Sequence, residues 1–252
     1  MTEQHAPLTI DLNADVGESL VSDAPLMSFI TSANIACGGH AGDARTMRAV
    51  LQLAREHGVS AGAHPSYPDR GNFGRTEMEM PAPELERVLT EQISALAKEA
   101  ASLGVKLRHV KPHGALYHAA SRNAETAQAI ARAALACDAS LILVGLAGAP
   151  VLETWRAMGA EVAAEAFADR VYEANGSLRS RNLAGALVYS AEAAARQAVS
   201  IVRDHRVQAS SGEQVPVAAQ TVCLHSDTPG AADFAREVRR ALEAAGCALR
   251  PL

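Results

Sequence analysis

The sequence has no C-x-x-C pair, no cluster of basic residues, no long charge-free apolar run and no G-x-x-x-x-G-K-[ST] loop. Each absence removes a class. Four irregularly spaced cysteines (Cys37, Cys137, Cys223, Cys247) suit a reduced, cytoplasmic chain better than a disulfide scaffold. Scattered Lys and Arg, with a formal net charge of -5, give no reason to expect nucleic acid. The apolar runs are short or broken by charge, so no membrane span is expected. The N-terminus MTEQHAPLTIDLN lacks a basic stretch followed by an apolar one, so no signal peptide is expected. Without the Walker-type loop there is no standard phosphate cradle.

What is present is a chain of 252 residues, 48% hydrophobic, long enough to bury a large core. No composition shift or Gly/Ser/Pro linker divides it, so one domain over residues 1–252 is expected. Short apolar segments alternate with helical patterns. Strands are expected at Leu8–Asn13, Ser32–Cys37, Ser60–His64, Leu107–Lys111, Leu141–Leu146, Val162–Phe167 and Thr221–His225. Between them, Asp43 suits an N-cap, with Met47, Val50, Leu51 and Ala54 on one helical face and Gly58 as the stop. Pro83 opens a helix whose stripe is Leu85, Val88, Leu89, Ile93 and Leu96, and Thr228 and Pro229 open one carrying Phe234, Val238 and Leu242. Further helices are expected at Asn123–Ala136, Val151–Met158 and Ala191–Asp204. Strand–helix alternation of this kind means parallel βαβ units and an α/β fold.

Every strand but the fifth finishes in polar residues. These are Asp11, Asn13, Asp15 and Glu18; His40 and Asp43; His64, Asp69 and Arg70; Lys111, His113, Tyr117 and His118; Glu165, Asp169 and Arg170; then His225 and Asp227. In a parallel barrel all strand C-termini open on one mouth, whereas an open sheet would leave distant ends bare. The pattern favours a (β/α) barrel with a shared site. Gly38 and Gly39 let the backbone turn sharply and a ligand come close, with His40 projecting into the mouth. His57 and His205 read as surface residues, His109 and Trp155 as packing, and Cys37 and Cys223 as core thiols.

The stretches "DLNADVGES", "ANIACGGHAGD", "GAHPSYPDR" with "FGR", "VKPHGALY", "EAFADRVY" and "HSDTPGA" closely resemble the LamB/YcsF family, in order, from about Ile10 to Ala231. The resemblance implies a barrel related to the polysaccharide deacetylases, often described with seven strands. It also implies activity as the A subunit of an ATP-hydrolysing 5-oxoprolinase, working with partner subunits B and C on 5-oxo-L-proline. Two positions depart from expectation. Ser226 stands where the family usually has Gly, and Val16 follows Asp15 where related deacetylases carry a second, metal-binding aspartate.

Lactam opening assigns roles to these residues. Asp15 or Glu18 would orient or deprotonate water. His40, His64 and His113 would move protons, and Lys111 would pair with a carboxylate or phosphoryl group. Asp11, Asn13, Arg70, Tyr117 and Asp227 would bind substrate, and Arg70, Arg75 and Arg170 suit an anion clamp. ATP would sit on an unusual loop or on a partner. His40, His64 and an aspartate could ligate a divalent metal, although their spacing is no compact metal motif. The alternatives are a stand-alone metal-dependent carbohydrate deacetylase and a non-catalytic ligand-binding subunit.

Overall fold

The computed structural model describes residues 8–18, 20–225 and 230–252. In chain order the elements are β1 Leu8–Val16, α1 Leu20–Leu26, β2 Ser32–Ala36, α2 Ala44–His57, β3 Ser60–His64, α3 Ala82–Ser102, β4 Leu107–Val110, α4 Gly114–Ala120, α5 Ala124–Cys137, β5 Ile142–Leu146, α6 Val151–Ala157, β6 Val162–Phe167, α7 Ala191–Asp204, β7 Arg206–Gln208, β8 Gln214–Pro216, β9 Thr221–His225, α8 Ala231–Ala244 and β10 Cys247–Leu249. Seven parallel strands run β1-β2-β3-β4-β5-β6-β9, and the β9–β1 pairing closes the barrel. All seven strands expected from the sequence are there. The sequence reading did not anticipate the antiparallel β7–β8 ribbon, or β10, which pairs with the start of β1.

The first strand is longer than its apolar signal suggested. It runs to Val16 because Ile10, Leu12, Ala14 and Val16 alternate with Asp11, Asn13 and Asp15, and a strand sends successive side chains to opposite faces. The apolar set packs outward with Ile35, Leu51, Leu89, Ile93 and Leu96 in the main core beneath the helices. The polar set points inward, where side chains from opposite strands meet. Thr31, Ser32 and Thr221 donate to the Asp11 carboxylate at 2.5–2.7 Å. One layer up, His109 Nε2 lies 2.7 Å from Asn34 Oδ1, Asn34 donates to Asn13 Oδ1, and Asn13 donates to Glu165 Oε1 at 3.1 Å. On β5 and its neighbour β6 apolar groups turn inside instead: Ile142, Val144 and Ala163 cluster with Leu252.

The helices form as their patterns require. Asp43 caps α2 by accepting from Thr46 N–H, and Gly58 ends it in the left-handed region. Asn123 accepts from Glu125 and Thr126 N–H to start α5, and Trp155 is buried with Nε1 donating to Ala127 O. The N-cap and N1 positions expected at Thr228 and Pro229 lie outside the described residues, although α8 does bury Phe234, Val238 and Leu242.

Candidate active site

The last inward residue of β1, Asp15, sits where the barrel opens. Its Oδ1 is 2.8 Å from Lys111 Nζ and accepts from Asn34 Nδ2, while Oδ2 is 3.3 Å from His64 Nε2. Lys111 is itself buried, with Nζ 2.9 Å from Glu165 Oε1 and 3.0 Å from Cys223 Sγ, so all three of its protons have partners. Burial alone would raise the Asp15 carboxyl, but His64 and Lys111 outweigh it and hold it well below the usual carboxylate range. Burial would likewise lower Lys111, yet the carboxylates of Asp15 and Glu165 keep it charged. The lysine therefore fixes a carboxylate rather than offering itself to an anion. Burial drives the Cys223 thiol well above its ordinary value and the Cys37 thiol up to about 12, in keeping with inert core positions.

Beside Asp15, Glu18 joins three imidazoles. Its Oε1 lies 2.9 Å from His40 Nε2, 3.2 Å from His113 Nδ1 and 3.9 Å from His64 Nε2. His40 and His113 stack with ring centroids 3.6 Å apart. Burial depresses His40 to about 4 and also lowers His113, Glu18 opposing in each case. His64 is raised, because Asp15 more than offsets its burial. The two loop ends that bring these groups together are built locally. Gly38, at φ 108, makes the turn ahead of His40, and Arg70 donates from Nη1 to both Gly38 O and Gly42 O, clamping that turn shut. Gly39 is small for a different reason than ligand access: a Cβ there would lie 2.4 Å from Ser66 Oγ and from Gln92 Oε1.

Above this floor opens a cavity of about 370 Å³. Asp15, Glu18, His64, Lys111 and His113 lie at its base, and Arg75, Arg122, Arg170 and Arg181 line its walls with Tyr117, His118, Phe167 and His225. The long segment 168–190 supplies much of the wall. Arg170 holds it in shape, donating to Arg179 O and Ala186 O, while Gln197 of α7 donates to Phe167 O and Arg170 O. Asp169 bonds His225 Nδ1 at 2.9 Å and the ring stacks on Phe167. An acid–imidazole floor under a guanidinium-rich wall suits a small anionic ligand that must exchange protons.

The LamB/YcsF family model matches residues 10–252. The chain belongs to the LamB/YcsF family. It is 51% identical over 248 residues to the A subunit of 5-oxoprolinase from Chloroflexus aggregans, covering 96% of this chain and 98% of that protein. Among solved structures it resembles the lactam utilization protein from Thermus thermophilus, with TM-score 0.90 and 42% identity, covering 97% of this chain and all of that one. A family 4 carbohydrate esterase from Streptomyces lividans shares the fold, with TM-score 0.51 and 13% identity over 97% of this chain and 93% of its own.

In this LamB/YcsF chain the structure gathers Asp15, Glu18, His40, His64, Lys111 and His113 into one centre, with Tyr117 on the cavity wall. It does not bring every residue named from the sequence there. Asp11 and Asn13 lie down the barrel as rungs of the interior ladder, because β1 continues three residues past the expected end. Arg70 is exposed and committed to backbone carbonyls. Asp227 and Ser226 lie outside the described residues. Asn34, Arg122 and Arg181 join the site without having been named for it. Glu165, marked among the polar strand ends but given no role, lies inward opposite Thr221 in the β6–β9 register and holds Lys111. Among the described residues Glu18, His40, His64 and His113 form a group compatible with a metal ion, and the carboxylate among them is Glu18 rather than an aspartate.

Proposed function

We propose that this chain is the A subunit of an ATP-dependent 5-oxoprolinase, opening the lactam of 5-oxo-L-proline to L-glutamate together with subunits B and C. The observation that carries the reading is a buried acid–imidazole centre facing arginine side chains across one small cavity, in a chain half identical to the A subunit of a 5-oxoprolinase. An amide resists water because nitrogen donates into the carbonyl and leaves poorly. Phosphoryl transfer from ATP to the amide oxygen releases ADP and makes the carbon a better electrophile. Water adds there as a base takes its proton, the C–N bond breaks as nitrogen gains one, and the resulting acyl phosphate is hydrolysed to carboxylate and phosphate.

The residues divide this work. Asp15, held ionised by Lys111, and Glu18, bonded to two imidazoles, are the groups to orient and deprotonate water. His225, whose Nδ1 is tied to Asp169, stands at the wall to return a proton to the leaving nitrogen. Arg75, Arg122, Arg170 and Arg181 take the substrate carboxylate and the charge of a transferred phosphoryl group. The subunit name of the relative is what supports partner chains, and the missing Walker loop supports ATP being held at least partly by them.

The test is reconstitution with subunits B and C, following glutamate and ADP from 5-oxoproline. Asp15→Asn should cut glutamate formation by at least about a hundredfold while the complex still assembles. Full turnover by that variant, or by B and C alone, would refute the assignment.

A further inference from the structure

Two hydrogen bonds at the cavity floor fix the protons of two imidazoles. His64 Nδ1 is 2.7 Å from Lys111 O, and His113 Nε2 is 2.9 Å from Phe73 O. A carbonyl only accepts, so each of these nitrogens carries hydrogen, and in the neutral rings His64 Nε2 and His113 Nδ1 are bare lone pairs. Those two atoms face each other 3.0 Å apart. Glu18 Oε1, a third bare acceptor, lies 3.2 Å from one and 3.9 Å from the other, with His40 Nε2 a further 2.9 Å from the carboxylate oxygen. Converging lone pairs repel unless a proton or a metal cation lies among them, and a metal cation can serve all of these acceptors at once. The outer hydrogen bonds are of the kind that orient ligating histidines, an N–H on the far side of the ring given to a backbone carbonyl.

The local backbone is bent to supply one of them. Phe73 is non-glycine yet has φ 56, in the left-handed region, and its carbonyl is the one that meets His113. The 3₁₀ turn Arg70–Asn72, with Asp69 accepting from Asn72 N–H, places that residue. Gly74 follows at φ 64, where a Cβ would come within 2.9 Å of His40 Cβ and 3.0 Å of the His113 ring. The chain accepts a strained residue and a tightly crowded glycine at the place where imidazoles are aimed inward.

We propose that Glu18, His40, His64 and His113 bind one divalent cation of the zinc class. The four donor groups fall within 4.8 Å of one another, and tetrahedral Zn–N bonds of about 2.0–2.1 Å would set ligand atoms roughly 3.3 Å apart. Three nitrogens and one carboxylate favour zinc or a neighbouring first-row ion over magnesium, which prefers oxygen and keeps its water. Such an ion would polarise an amide oxygen or lower the pKa of bound water. The site stands on side-chain placement alone, so it is tested without substrate, ATP or partner subunits.

The experiment uses the full chain, stripped with chelator, dialysed, and titrated separately with Zn²⁺, Mn²⁺ and Mg²⁺ by calorimetry, with metal content measured after desalting. About one equivalent of Zn²⁺ should bind at low-micromolar free metal, with no comparable binding of Mg²⁺. His64→Ala and His113→Ala should each weaken Zn²⁺ by at least about tenfold. His40→Ala should weaken it less, because His40 Nδ1 has no partner among the described residues and that ring lacks an outer anchor. Arg156→Ala, an exposed position on α6 paired with Glu153, should bind as the parent does. X-ray absorption of the zinc-loaded parent decides the matter even where a variant fails to fold: a shell containing two or three imidazoles supports the proposal. A shell of oxygen only, less than about a tenth of an equivalent bound, or parental affinity in a folded His113→Ala would overturn it.

Discussion

Gly62 faces the ring of His109 inside the barrel, where a Cβ would lie 2.2 Å from two ring atoms. The His109 ring cannot swing away without breaking the chain through Asn34 to Asn13 and Asp15. Gly62→Ala should therefore cost about 1–3 kcal/mol of unfolding free energy in urea. Gly71→Ala, where nothing lies within 4 Å of the added carbon, should be close to neutral. Asp23 is a second residue whose behaviour follows from its surroundings. Burial raises its carboxyl to about 6, against the Gly17 N–H it accepts. The folded state thus holds the proton more tightly than the unfolded chain. The stability this group contributes is present below about pH 4 and lost as pH rises through 6. Asp23→Asn should flatten that slope and gain on the order of 1–2 kcal/mol at pH 8, measured by denaturation across pH. An unchanged slope would show that the charge is relieved in another way.

At the scale of elements, α5 depends on the residue just before it. Asn123 sits in extended backbone and accepts from two N–H groups that have no partner inside the helix. Asn123→Ala should lower stability by about 1 kcal/mol, and Asn123→Ser should recover most of it. Zinc binding and cavity chemistry should not change in either, since α5 lies outside the barrel. The helix was legible from its alanine-rich helical pattern, and its cap is local: the donors, the acceptor and the backbone conformation all lie within four residues. The ends of β1 were not. Its interior-facing Asp11, Asn13 and Asp15 look like the polar finish of a strand when only apolar content is counted. They are read correctly once alternation is followed, because a barrel with a hydrogen-bonded interior inverts the usual inside-apolar rule. The fifth strand shows the complement. Its bare end reflects an inner face filled by Ile142 and Val144, with Leu252 against them.

The molecule as a whole sets its charges in opposition, acids and imidazoles below and arginines above. His118 reports on this field. Burial, then Arg170, Arg122 and Arg181, lower it to about 4. An anion seated among those guanidinium groups should screen them and move the imidazole back toward its ordinary value. Titration of His118 by NMR with and without inorganic phosphate is expected to show a rise of about half a unit or more at saturation. No movement on saturation would mean that the arginine wall does not take anions.

The sequence by itself determined the seven strands, the cap and stop of α2, the extent of α5 to within a residue, and the family, since these rest on periodicity, on neighbours within a turn and on long motifs in order. It also marked Asp15, Glu18, His40, His64, Lys111 and His113 as one group, because parallel strands closed in a ring must point their ends the same way. Only the tertiary structure decided how they divide. Lys111 is saturated by Asp15, Glu165 and Cys223, Arg70 serves a turn, Asp11 and Asn13 brace the interior, and His64 Nε2 and His113 Nδ1 face each other 3.0 Å apart. Those distinctions lie in close contacts between residues far apart in the chain, as for Asn13 and Glu165, 3.1 Å apart at a separation of 152. Spacing along a sequence carries no such information until the barrel closes.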